Sequence, residues 1–156
     1  MARTEFRYNP IDLIPDRAVG IKLPFTGKKG LFDLSYTTEE QALSNLKNLV
    51  LTRKGERLMH PNFGTSIYDV LFENMSDDFL IDVEDRLRDD IEFWLPYLII
   101  DEISANQLAP GQARDFENGF SVLIRVRVTE NGANRTIVLN LGNGVANVID
   151  IVTGLG

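Results

Sequence analysis

The sequence predicts an α+β fold, with three helices packed on a small antiparallel meander, an extended N-terminal arm and an apolar C-terminal tail. Three observations lead there. Apolar residues recur at helical spacing before Pro96 and at strand spacing after it. Residues 1–36 carry Pro10, Pro15 and Pro24, which break any helix, yet remain rich in large apolar side chains. The tail GNGVANVIDIVTGLG is too apolar to be left in water.

The arm, residues 1–36, comes first. Val19, Ile21, Leu23 and Phe25 alternate as in a strand, and Thr26-Gly27-Lys28-Lys29-Gly30 reads as a loop. A segment this apolar needs a surface, and the first fifteen or so residues are expected to dock on a partner. A single domain then spans 37–156. Its first helix, about 38–52, opens with Thr38 and Gln41 as a capping box and with Glu39 and Glu40 at the positive end of the dipole. Ala42, Leu43, Leu46, Leu49 and Val50 form its apolar stripe.

A charged turn and Pro61-Asn62-Phe63-Gly64 follow, then a short helix at about 66–73. Ser76 caps the third helix, about 77–95, whose stripe is Leu80, Val83, Leu87, Ile91, Trp94 and Leu95. Strands are expected at about 97–104, 119–130 and 135–141, with an exposed loop at 105–118 and Asn131-Gly132 in a hairpin connection. Phe120, Val122, Ile124, Val126 and Val128 alternate with Ser121, Leu123, Arg125, Arg127 and Thr129, which marks a half-buried strand.

Composition narrows the chemistry. The chain has 156 residues, enough to bury one sizeable core, and a net charge of -7 that repels nucleic acid and anionic membrane. It has no cysteine, which excludes thiol catalysis and disulfides, and a single histidine, His60, which excludes multi-histidine metal sites. No apolar run approaches the roughly eighteen residues a membrane span needs. The N-terminus does not read as a signal peptide, so synthesis in a cytoplasm is expected. No cofactor, metal or catalytic constellation is expected.

The densest set of chemistry-bearing residues is 51–74, LTRKGERLMHPNFGTSIYDVLFEN. Arg53, Glu56 and Arg57 sit just past a helix end, with Gly55 among them. Two readings stay open for them. One is local capping, with cations at the negative helix end and Gly55 supplying a positive φ. The other is docking, with Arg forks placed for bidentate contacts to carboxylates or helix-end carbonyls and Glu56 holding the fork. Pro61, Phe63 and Gly64 read as a structural turn whose ring anchors it.

This run resembles the baseplate wedge family of contractile tails, the sheath-initiating subunit of phages such as T4. That family carries an Arg-x-Gly-x-Arg turn, a Pro-x-Phe-Gly turn and a Leu-Phe-Glu helix end; here these match Arg53, Gly55, Arg57, Pro61, Phe63, Gly64, Leu71, Phe72 and Glu73. The resemblance covers roughly 38–130. It implies a structural virion component with no enzymatic role, present in six copies per baseplate. Arg53, Glu56, Arg57 and Glu73 would dock on the helical core bundle of other wedge proteins. The sheet would exchange strands with the first ring of sheath protein through Val126, Val128, Ile137, Leu139, Ile149 and Ile151.

A proline at Ile149 or Ile151 is expected to spare folding and impair assembly. Whether the tail packs on its own domain or on a neighbour stays open. The alternative function is a lysozyme-like glycosidase using an acidic pair such as Asp69 and Glu73, four apart on the expected short helix.

Overall fold

The computed structural model describes residues 12, 14, 16–23, 32–69, 77–107, 119–128, 134–142 and 145–151. Two compact units divide the chain, Met1–Asn48 and Leu49–Gly156. The elements in order are β1 (Gly20–Ile21), β2 (Leu34–Ser35), α1 (Thr38–Leu51), α2 (Asp77–Trp94), β3 (Ile99–Gln107), β4 (Gly119–Arg127), β5 (Arg135–Gly142) and β6 (Val145–Ile151).

In the first unit the arm folds back on itself. β1 and β2 pair antiparallel, Gly20 opposite Ser35 and Ile21 opposite Leu34. Helix α1 ties them down: the Ser35 hydroxyl donates to Gln41 Oε1 at 2.6 Å and Lys47 Nζ donates to the Leu23 carbonyl at 2.8 Å. A Cβ on Gly20 would meet the end of the Gln41 side chain, which would have to swing aside. The capping box lies one residue earlier than the sequence suggests. The Glu40 N–H donates to the Thr37 hydroxyl at 3.2 Å, while the Glu40 carboxylate accepts the Tyr36 N–H at 3.2 Å. Thr38 is free to donate its N–H and hydroxyl to Asp12 instead, both at 2.8 Å.

In the second unit α2 presents Phe79, Val83, Leu87 and Ile91, each 6% exposed or less, at a strict spacing of four. Phe79 takes the inward position expected of Leu80, which is only half-buried. Its ring meets Phe120 of β4 edge-on at 5.5 Å. Burying three such aliphatic side chains contributes roughly 1.5–3 kcal/mol each.

The sheet departs from the expected three-stranded meander: four strands run in the order β3-β4-β5-β6, antiparallel throughout. The fourth is the apolar tail, which pairs in cis with β5 from Thr136–Ile151 to Gly142–Val145. The period-two pattern over 120–126 holds, since Phe120, Val122, Ile124 and Val126 are all fully buried. On the opposite face Arg125 pairs with Glu102 at 2.8 Å, and Arg127 grips both oxygens of Asp101.

Strand β3 begins later than expected because Leu95 to Leu98 close a turn after the helix, the Leu98 N–H donating to the Leu95 carbonyl. It also runs on through Ala105 to Gln107, where a loop was expected. Two helices, not three, are present among the described residues. Residues 66–69 form a tight turn in which the Asp69 N–H donates to the Ser66 carbonyl. The rest of the expected short helix, the Ser76 cap and the Asn131-Gly132 connection lie outside the described residues.

Candidate docking site

Residues 52–69 build one doubly pinned loop. At its base the chain returns beside itself: Arg53 and Thr65 form a parallel bridge, and the Thr65 N–H donates to the Thr52 carbonyl at 2.9 Å. Gly64 makes this approach possible. Its φ of +119° suits glycine, and a Cβ there would lie 2.5 Å from the Thr52 carbonyl oxygen. Further out, the Gly55 N–H donates to the Pro61 carbonyl at 2.7 Å and the His60 N–H to the Arg57 carbonyl at 3.1 Å. Gly55, at φ +89°, faces open space. It therefore serves the loop and not a helix cap; α1 closes through Thr52, whose N–H donates to the Leu49 carbonyl.

The second pin comes from α2. Asp90 is 8% exposed, and its carboxylate accepts from Lys54 Nζ at 2.6 Å, the Ser66 N–H at 3.1 Å and the Ser66 hydroxyl at 3.3 Å. One buried carboxylate thus holds both limbs of the loop. Lys54, Ser66 and Asp90 were not singled out from the sequence. A signal existed: Asp90 follows Val83 by seven and Leu87 by three, which places an acid on the buried stripe.

The expected docking residues Arg53, Glu56 and Arg57 come together on this loop, all exposed. Each is held by the loop itself. Glu56 accepts the backbone N–H of Arg53 at 3.1 Å. The Arg53 guanidinium lies 5.3 Å from the Tyr68 ring centroid, and that of Arg57 lies 4.3 Å from the Phe63 centroid. Phe63 in turn meets Trp94 at 5.2 Å and Trp94 meets Phe93 at 5.1 Å, both edge-on. The Arg57 charge thus rests over an aromatic face. Burial raises the pKa of the Tyr68 hydroxyl, and the Glu56 charge adds to this against the opposing Arg53. That hydroxyl donates to the Val50 carbonyl at 3.1 Å.

The loop tip is apolar: Leu58 is 98% exposed and Met59 is 87% exposed. Glu73 lies outside the described residues, so the pairing with Asp69 that a glycosidase would need is not on a described helix; Asp69 itself is exposed. Among the described residues no group of His, Cys, Asp or Glu could hold a metal ion, and no helix is long and apolar enough to cross a membrane.

The sheet residues fall into two sets. Val126, Ile137 and Leu139 are buried on the inner strands β4 and β5, and Val128 lies half-exposed just past β4. Ile149 and Ile151 lie on the outer strand β6.

A sequence profile of the baseplate wedge protein gp25 matches residues 37–132. The chain belongs to that family. The matched span covers the docking loop, α2, β3 and β4. The chain is therefore a structural baseplate component of a contractile injection machine, one that associates with other baseplate proteins in a tail particle. No curated protein matches the sequence. Among solved structures, a Geobacter sulfurreducens protein labelled a tail lysozyme is similar at 22% identity, with a TM-score of 0.56 over 66% of this chain and 88% of its own. The baseplate of the anti-feeding prophage contains a chain similar at 22% identity, with a TM-score of 0.51 over 69% of this chain and 82% of its own. At these identities the likeness is one of fold.

Proposed function

We propose that this family member joins the wedge through the 53–62 loop and starts the contractile sheath through its sheet. The loop would rest on the helical core bundle of the other wedge proteins, with Arg53, Glu56, Arg57 and Glu73 as its polar contacts. The sheet would take a strand from the first ring of sheath protein, with six copies around the baseplate. The observation that carries the first half is the loop's combination of rigidity and exposure. Its limbs are fixed by Asp90 and Gly64, yet it holds Leu58 and Met59 out in water beside two arginines. A preorganised loop gives up little entropy on binding, and exposed apolar side chains of this size mark a contact surface.

The test is Arg57→Glu. The side chain contributes only a surface stacking contact on Phe63, worth about 0.5–1 kcal/mol, so the variant should fold. It should fail to enter the wedge when the particle is purified and its composition measured. Normal incorporation would sink the docking reading, and an unfolded variant would return the turn to a purely local role. The glycosidase alternative draws no support from the tail-lysozyme label of one similar structure, which is a statement about that protein.

A further inference from the structure

The two edges of the four-stranded sheet are unequal, and hydrogen-bond parity shows how. In an antiparallel ladder each residue turns both its N–H and C=O towards its partner or away from it, alternating along the strand. Ala105 of β3 donates its N–H to Glu84 Oε1 of α2 at 2.6 Å, so it faces away from β4. Its partner Val122 then faces β5, Leu139 opposite Val122 faces β4, and Val148 opposite Leu139 faces away from β5. The irregularity in the β3–β4 ladder, between Ile100 and Glu102, lies outside this row. By alternation Ala146, Val148 and Asp150 turn their backbone groups outward, whereas Val145, Asn147, Ile149 and Ile151 bond to β5.

The β3 edge is closed. Helix α2 packs against β3, Glu84 occupies an outward amide, and the register shift between Ile100 and Glu102 interrupts the regular ladder. β6 ends the strand order, and among the described residues it pairs with β5 alone.

We infer that Glu84 seals one edge of the sheet, so that an added strand joins only at β6, through the backbone groups of Ala146, Val148 and Asp150. This rests on the strand-exchange reading above and gives it a direction. The occupant is an extended, proline-free segment of a neighbouring subunit. It should alternate apolar and polar residues, because one face of this sheet is buried and the other carries Arg125 and Asn140. The same parity moves the blocking positions. Prolines at Ile149 or Ile151 would cut the chain's own ladder, whereas Val148→Pro removes only an outward donor.

The closing experiment has two stages. Amide hydrogen exchange on the full isolated chain should show Asn147 and Ile149 protected at least about tenfold more than Ala146, Val148 and Asp150. Ala105 should be slow in the native chain and fast in Glu84→Ala. The opposite alternation, or an Ala105 amide indifferent to Glu84, overturns the edge assignment and leaves strand exchange itself untouched.

In assembled particles, Val148→Pro should be incorporated into the baseplate but carry no sheath, while Ala146, Val148 and Asp150 of the native chain become protected. A full sheath on Val148→Pro particles, or new protection along β3 instead, overturns the inference. Sheathed native particles in which neither edge gains protection overturn the strand-exchange reading as well.

Discussion

Removing the Asp90 carboxylate should release the docking loop from α2, and the size of the effect follows from its partners. Asp90→Ala deletes an ion pair to Lys54 and two hydrogen bonds to Ser66. The Lys54 side chain is 38% exposed, so water replaces much of that pair and its share is at most about 1 kcal/mol. The Ser66 N–H is a buried-side donor to a charged acceptor, and such bonds are worth about 1.5–3 kcal/mol. The sum is a loss of about 2–4 kcal/mol.

Lys54→Ala should cost no more than about 1 kcal/mol. Asp90→Asn, which keeps an acceptor for Ser66 but loses the charge, should fall between the two. The assay is urea denaturation followed by fluorescence of Trp94, the sole tryptophan, whose ring touches Phe63 of the loop. Limited trypsin digestion after Arg53, Lys54 and Arg57 reports loop release separately, and should speed up in Asp90→Ala. If Asp90→Ala matches the native midpoint within about 0.5 kcal/mol and the loop stays resistant, Asp90 does not hold it and the reasoning fails.

The remaining expectations concern glycine and titration. Gly64→Ala should destabilise by about 3 kcal/mol, because strain at positive φ adds to collision with the Thr52 carbonyl, whereas Gly55→Ala should cost about 1–2 kcal/mol for strain alone. Equal losses in the two variants, measured by the same denaturation, would show that the close approach at Gly64 relaxes freely. For Glu40, burial pushes the carboxyl pKa up, but the hydrogen bond and charge of Lys22 and the backbone N–H groups of Tyr36 and Thr37 outweigh it and leave it below 4.5. A lowered folded pKa contributes stability that is present above the ordinary carboxylate range and is lost as pH falls through the folded value. Glu40→Gln should therefore flatten the acid limb of a stability–pH profile and change nothing near pH 7 in its slope; an unaltered acid limb would rule this out.

How far the sequence reached depended on how local each signal was. The stripe of α2 from Val83 to Ile91, the inward alternation of β4 and the turn glycines are short-range patterns, and these were legible before any fold was known. The family was reached by resemblance, on Arg53, Gly55, Arg57, Pro61, Phe63, Gly64, Leu71, Phe72 and Glu73 in register. The capping box missed by one residue because Thr37 and Thr38 are equivalent locally, and the choice fell to Asp12, twenty-six positions away in the chain.

Asp90 drew no reading from the sequence; packing of the 54 and 66 limbs against α2 made it the loop's anchor. The tail was apolar enough to demand cover, but its partner was a matter of long-range pairing, which propensity does not encode. Chain folding placed Ala105 against Glu84 and opposite Val122, Val122 opposite Leu139, and Leu139 opposite Val148, and the inferred facing of the sheet's edges rests on that row. Composition and periodicity reached α1, α2, β3, β4 and β5, but not the turn at 66–69 or the pairing of β1 with β2 and of β6 with β5. Tertiary structure decided which polar groups they satisfy for one another, because burial gives an unpaired carboxylate or amide its cost.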